Sequence, residues 1–189
     1  MRNIGVIVAR FQPIHNGHIE LIKKSCHEND RTFIFIGSAD KINERNPIPI
    51  DFRIELVKKA IIENGLTELC TIVPLNDLDN ESNNSLSWGF YLFANIVRAI
   101  EQDCFTMYYS DGFEIITTWF TGYILRNHVS LSLLARGSIA SGISATRVRE
   151  CILNDRDLSG FVPQVVIDYK TVIKSFIQIN TKIDGKDII

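Results

Sequence analysis

Short apolar runs alternate with longer stretches of helical spacing along this chain, and the alternation recurs five times. Residues 3–9, NIGVIVA, are rich in β-branched side chains, the pattern of a strand covered on both faces. From residue 17 to 29 the spacing turns helical, with Ile19, Ile22 and Cys26 on one face. Residues 31–38, RTFIFIGS, predict a second buried strand. A polar loop follows over 39–50, where two prolines resist regular structure. Asp51 is the expected N-cap of a helix over 52–65, and Gly65 its expected C-cap. A third strand is expected at 70–75, a loop at 76–84 and a helix at 85–102. A fourth strand at 105–110 ends in an Asp-Gly turn, and a fifth spans 129–136. Small residues at 137–142 lead into a helix over 143–153. A final amphipathic helix, at about 163–178, aligns Val165, Tyr169, Val172 and Phe176, and the tail from 180 is expected to be loose.

Strands alternating with helices predict an α/β fold, a Rossmann-like five-stranded parallel sheet with helices on both faces. Crossovers are expected to be right-handed, with the ligand beyond the carboxyl ends of the strands where the strand order reverses. One domain is expected over residues 1–189, with the C-terminal helix packed on it. No internal repeat or linker interrupts it.

Composition narrows the function. A net charge of −2 carries no basic bias, so general binding to nucleic acid or membrane surfaces is not expected. The first residues lack the long apolar core of a signal peptide, no stretch approaches a membrane span, and a soluble cytoplasmic protein is expected. Cys26, Cys70, Cys104 and Cys151 are far apart with no C-x-x-C spacing, which indicates neither a zinc site nor a redox pair. There is no G-x-G-x-x-G after the first strand and no G-x-x-x-x-G-K-[ST], disfavouring a dinucleotide-binding dehydrogenase and a P-loop kinase.

The chemistry is concentrated at two predicted helix starts. VARFQPIHNGH places Arg10, His15, Gly17 and His18 between the first strand and the first helix, where backbone N–H groups and the helix dipole favour an anion. Imidazole N–H groups donate to phosphate oxygens, and Arg10 adds forked donors. Gly17 lets ligand and backbone approach closely. In SGISATRVRE, Ser144, Thr146, Arg147 and Arg149 open another helix. Hydroxyls there cap backbone N–H groups or bind phosphate, and one arginine is expected to reach the ligand while the other faces solvent. His27 and His128 have no motif context and are read as ordinary residues, and Trp119 as packing.

RFQPIHNGH resembles the H-x-G-H motif of the nucleotidyltransferase superfamily, and ISATRVR resembles its second motif, I-S-x-T-x-x-R. With GSADK, NP, DFR, Trp88 and YYSDG, the likeness extends to the archaeal-type nicotinamide-nucleotide adenylyltransferases, also found fused to Nudix domains. It runs over roughly residues 3–175. Ala9 departs from the family's usual glycine, and the loop before Trp88 carries one extra residue.

The resemblance implies an enzyme that joins nicotinamide or nicotinic acid mononucleotide to ATP, releasing pyrophosphate, with Mg2+ accompanying the ATP. His15, His18 and Arg149 would be catalytic. Arg10, Phe11, Gln12, Gly17, Asp111, Ser144, Thr146 and Arg147 would hold ATP. Gly37, Ser38, Asn46, Arg53, Asn84 and Trp88 would hold the mononucleotide, with Trp88 stacked on its ring. No side chain is assigned to a metal, and identical chains are expected to assemble. Rival expectations are another acceptor (phosphopantetheine, a flavin mononucleotide, or an alcohol phosphate in a cytidylyl transfer) and a nucleotide sensor without turnover.

Overall fold

A computed structural model describes residues 2–78, 85–110, 113–134 and 143–182. Five strands form, β1 (Ile4–Ala9), β2 (Arg31–Ile36), β3 (Cys70–Pro74), β4 (Phe105–Tyr109) and β5 (Val129–Leu133). They lie in the order β3-β2-β1-β4-β5, and every neighbouring pair is parallel. The chain therefore moves outward from β1 to β3, then crosses back to lay β4 on the other side of β1. The order reverses between β1 and β4, and the loops leaving these two strands diverge to opposite faces and open a crevice.

The pleat divides the core into two layers. Ile4 and Val6 of β1 face α3 (Leu86–Ile100), α4 (Phe113–Trp119) and α5 (Gly122–Asn127), while Ile7 faces α1 (Asn16–Glu28), α2 (Ile50–Glu63) and α6 (Ala145–Leu153). β2 does the same, with Phe35 on the first side and Ile34 and Ile36 on the second. A strand flanked on both faces has to be apolar throughout, which is why NIGVIVA shows no period of two. A short helix, α7 (Gln164–Asp168), braces α2, and a longer one, α8 (Lys170–Lys182), braces α6. Among the described residues no helix is long and apolar enough to cross a membrane.

Several boundaries differ from the sequence expectation. The α2 helix starts at Ile50 after Pro49, which stands at the N-cap in place of Asp51. Proline suits a helix entrance because its fixed φ and missing N–H cost nothing there. Asn64 is the C-cap, and Gly65 follows it at φ 68°, donating its N–H to Ile62 O at 3.0 Å. The last amphipathic stretch is two helices, not one. Tyr169 breaks it, with its hydroxyl held by Lys59 at 2.6 Å and its ring set edge-on to Phe52. No Gly or Pro marks that break, so composition gave no sign of it. Residues 113–128, assigned to no element from sequence, fold as α4 and α5, helices of seven and six residues. Residues 180–182, expected to be loose, complete α8, and Asn180 donates to Pro47 O at 2.7 Å. The small-residue loop at 137–142 lies outside the described residues.

Two glycines permit close approaches that any side chain would obstruct. A Cβ on Gly5 would fall 2.0 Å from Ser25 Oγ, so α1 can lie directly on β1. A Cβ on Gly89 would fall 1.6 Å from the backbone oxygen of Trp119, so the end of α4 sits in a notch on α3. Since backbone cannot swing aside as a side-chain tip can, Gly89→Ala is expected to destabilise the fold by about 1–3 kcal/mol. Urea unfolding measures this, and an unchanged midpoint would contradict the notch.

Candidate active site

The crevice between the ends of β1 and β4 is a cleft of about 460 Å3. Its walls come from the exits of β1 and β4 and from the N-termini of α1 and α6. Both predicted phosphate-binding helix starts therefore open onto one cavity.

His15 occupies the N-cap of α1 with an extended backbone, φ −142° and ψ 170°. Its N–H donates to His18 Nδ1 at 3.3 Å, and the two rings stack with centroids 3.7 Å apart. The three-residue spacing makes this pairing possible, since N-cap and N3 lie one above the other. With Nδ1 accepting, a neutral His18 carries its proton on Nε2. Burial, and secondarily the charge of His15, holds His18 well below the usual imidazole range. A neutral imidazole is thus available as a hydrogen-bond donor at the dipole-positive end of α1.

Across the cleft, Ser144 is the N-cap of α6 and accepts from Arg147 N at 3.2 Å. Thr146 and Arg149 face the cavity. The Arg149 guanidinium donates to Gln12 O at 2.8 Å, joining α6 to the loop after β1. Burial and the positive charge of Arg10 press its pKa downward. Arg147 lies outside the cavity lining, with its guanidinium 5.4 Å from the centroid of the Phe161 ring. One arginine of the pair turns to the cleft and one away, as the two-residue spacing predicts on a helix.

The loop after β1 is built tightly. Phe11 takes a left-handed conformation, φ 51°, with its ring buried and 4.6 Å from His18. Gln12 is buried and pairs reciprocally with Ile48, donating at 3.1 Å and accepting at 2.9 Å. That pair fastens the proline-containing loop at 39–50 to the floor of the cleft. Gly17 lies on the cavity wall beside His18.

The residues assigned from sequence to the mononucleotide are less concentrated. Arg53 is 0% exposed and its guanidinium donates to Arg10 O and Gly37 O, both at 2.8 Å, and to Ser38 O at 2.9 Å. It lies beneath the loops rather than in the cavity. Burial foremost, then Arg10, brings its pKa down to about 10, which leaves it charged near neutral pH. Ser38, at φ 49°, donates its hydroxyl to Asp77 at 3.1 Å. Asn46 is buried and donates to Asn43 Oδ1. Trp88 is 3% exposed, packed on α3 beside Tyr91 and outside the cavity lining. Asn84 and Asp111 lie outside the described residues.

The cavity also contains residues that the motifs did not indicate: Arg45, Tyr109, Ile115, Ile116 and Trp119. Trp119, read from sequence as packing, lines the apolar side of the cleft. The recurrence of apolar residues at 115, 116, 119 and 120 is a helical stripe that could have pointed to it.

Comparison with known proteins matches residues 6–151 to the cytidylyltransferase-like family. The nicotinamide-nucleotide adenylyltransferase of Thermococcus onnurineus is 28% identical over 173 residues, 90% of this chain and 83% of that protein. The enzyme of the same name from Methanococcus vannielii is 27% identical over 184 residues, 96% of this chain and 95% of that protein. Among solved structures, a bifunctional NMN adenylyltransferase/ADP ribose pyrophosphatase of Francisella tularensis, complexed with AMP and a manganese ion, superposes with a TM-score of 0.70 at 18% identity over 94% of this chain. NadR protein in complex with NAD and AMP-PNP gives 0.61 at 22% identity over 88%. This chain spans about half the length of those two structures, 52% and 46%. At such identities the likeness is one of fold.

The state of His18 sets a pH dependence. The unfolded chain takes up a proton as pH falls through about 6.5, whereas folded His18 resists it. Stability is therefore full above that value and lost on acidification from pH 7 to 5. His18→Asn keeps an acceptor for the His15 N–H and is expected to flatten that loss. Chemical denaturation at both pH values in phosphate-free buffer measures it, and equal losses in the two proteins would contradict the assignment.

Proposed function

Since the chain belongs to the cytidylyltransferase-like family, we propose that it is an adenylyltransferase that joins a pyridine mononucleotide to ATP, yielding the dinucleotide and pyrophosphate. The observation that carries this is the convergence of His15 and His18 with Thr146 and Arg149 on one cleft at the strand-order reversal. Two helix N-termini, two imidazoles and Arg149, with Arg10 beside it, form a site for one polyphosphate. The relatives named for this activity span nearly the whole chain.

In the proposed reaction a phosphate oxygen of the mononucleotide attacks the α-phosphorus of ATP in line. The new P–O bond forms as the bond to the β-phosphate oxygen breaks, and pyrophosphate leaves with the electron pair. The attacking phosphate is already ionised near neutral pH, so no side chain has to remove a proton or form a bond to phosphorus. The protein positions both phosphates and stabilises charge on the moving group. His15 and His18 serve the α-phosphate, while Thr146 and Arg149 hold the β- and γ-phosphates. Arg10 and the backbone at Phe11 and Gln12 guide the chain of phosphates. Arg53 and Ser38 shape the adjoining loops, and Gly37, Asn46 and Asn84 are proposed to serve the mononucleotide, whereas Trp88, buried in the core outside the cavity lining, is not placed to stack on its ring.

Among the described residues lining the cleft there is no carboxylate. Mg2+, as proposed, accompanies the ATP and neutralises the charge of its phosphates. A cytoplasmic location, assembly of identical chains and one nucleotidyltransferase domain over 1–189 belong to the same proposal.

Pyrophosphate release from Mg-ATP, run in parallel with nicotinamide mononucleotide, nicotinic acid mononucleotide, phosphopantetheine and flavin mononucleotide, tests it. Release with a pyridine mononucleotide alone is expected, and His15→Ala and His18→Ala should each lower turnover by about 10²-fold. Release with another acceptor would keep the chemistry and discard the substrate. Binding of ATP without release would make the chain a nucleotide sensor.

A further inference from the structure

At the opposite end of the sheet from the cleft, the starts of β4 and β5 bring the neighbours Asp103 and Cys104 together with His128, 24 residues beyond Cys104. Phe105 pairs with Val129 in parallel register, and its N–H donates to His128 O at 3.0 Å. That ladder holds the residues just before each strand side by side, Asp103 and Cys104 on one and His128 on the other. Asp103 Oδ2 is 3.3 Å from His128 Nδ1, and Cys104 Sγ is 3.5 Å from Asp103 Oδ1. One ligand atom from each of the three residues lies within 4.8 Å of the others.

Two further features bear on these distances. His128 Nδ1 is buried and makes no hydrogen bond, although a carboxylate oxygen lies 3.3 Å away. The imidazole is also held in place, with the Phe93 ring at 5.7 Å and the Tyr123 ring at 5.8 Å from its centroid. An orphaned, pre-oriented imidazole nitrogen beside a thiol and a carboxylate is the donor set of a borderline-soft divalent ion.

We propose that Asp103, Cys104 and His128 form a binding site for a zinc-class divalent cation, separate from the nucleotide cleft. Metal–ligand bonds of about 2.0–2.3 Å in tetrahedral geometry place ligand atoms about 3.3–3.6 Å apart. The separations of 3.3 Å from Oδ2 to His128 and 3.5 Å from Oδ1 to Cys104 fall in that range but start from different oxygens of Asp103, so binding turns the carboxylate to present one oxygen and draws Cys104 and His128 together. The fourth position is open to water. On binding, the Cys104 thiol releases its proton to solvent as the sulfur–metal bond forms. The thiolate selects against magnesium, which takes oxygen ligands. Bound there, the ion clips the entrance of β4 to that of β5 and to the end of α5. Sequence spacing concealed the site, because its ligands meet only through the pairing of two strands.

The test uses the full chain, reduced and stripped with a chelator, titrated with Co2+ and then Zn2+. One cobalt per chain is expected, with a thiolate-to-cobalt charge-transfer band that zinc abolishes by displacement. Cys104→Ser should eliminate the band and weaken zinc binding at least about tenfold, and His128→Asn should weaken it similarly. Cys70→Ser, which alters the separate Cys26–Cys70 contact, should leave the band intact. Absence of the band in the parent protein would overturn the proposal. So would a band that survives Cys104→Ser, or one lost in Cys70→Ser. Far-UV circular dichroism confirms that each variant is folded, and Cys104→Ser decides the question alone if His128→Asn is not.

Discussion

The guanidinium of Arg53 is the fastening on which the cleft depends. It is fully buried and donates to three carbonyl oxygens, one at the exit of β1 and two at the exit of β2. Those exits carry the left-handed residues Phe11 and Ser38, conformations that a free loop would relax. A charged donor meeting three fixed acceptors holds them where a single amide could not. Loss of the fork would strand buried carbonyls, each worth about 1–3 kcal/mol. The reciprocal pair of Gln12 and Ile48 extends the same fastening to the 39–50 loop, and Asn180 reaches that loop from α8. The C-terminal helices are thereby coupled, through backbone carbonyls, to the loop that presents His15.

Electrostatic strain has a common origin in this region. Burial first, and then the charge of Arg10, lowers the pKa of both Arg53 and Arg149, so the Arg10 guanidinium opposes each of the other two. His18 remains neutral partly because His15 is beside it. On the proposed function, a polyphosphate entering such a cleft relieves the repulsion that Arg10 exerts on its neighbours as well as gaining hydrogen bonds. On the proposed function the same arrangement stabilises charge on the transferring phosphoryl group. The cations are held by the fold before substrate arrives, which is what electrostatic preorganisation requires.

Much of this was legible in the chain. The central strand β1 reads as an unbroken apolar run, and the other four were visible as short segments rich in apolar residues. Two helix starts rich in histidine, hydroxyl and arginine pointed to one phosphate site, and the structure brings both onto one cleft. What local pattern could not give was contact across the fold. Arg53 looks like any helix arginine, and only the meeting of two strand exits above it gives it three carbonyl partners. Trp88 and Trp119 are equally prominent in sequence, yet the Gly89 notch is what brings α4 against α3, with Trp119 lining the cleft and Trp88 in the core. His128 and Cys104 had no motif because their neighbourhood exists only through the pairing of β4 with β5.

On the proposed function this cleft supplies positions and charge, and no nucleophile. Adenylyl transfer from ATP made chiral at the α-phosphorus with sulfur tests it most directly. A single in-line displacement inverts the configuration at phosphorus, and inversion is the predicted result. Retention would require two displacements, with a side chain, His15 or His18 foremost, bonded to phosphorus between them, and would contradict the account.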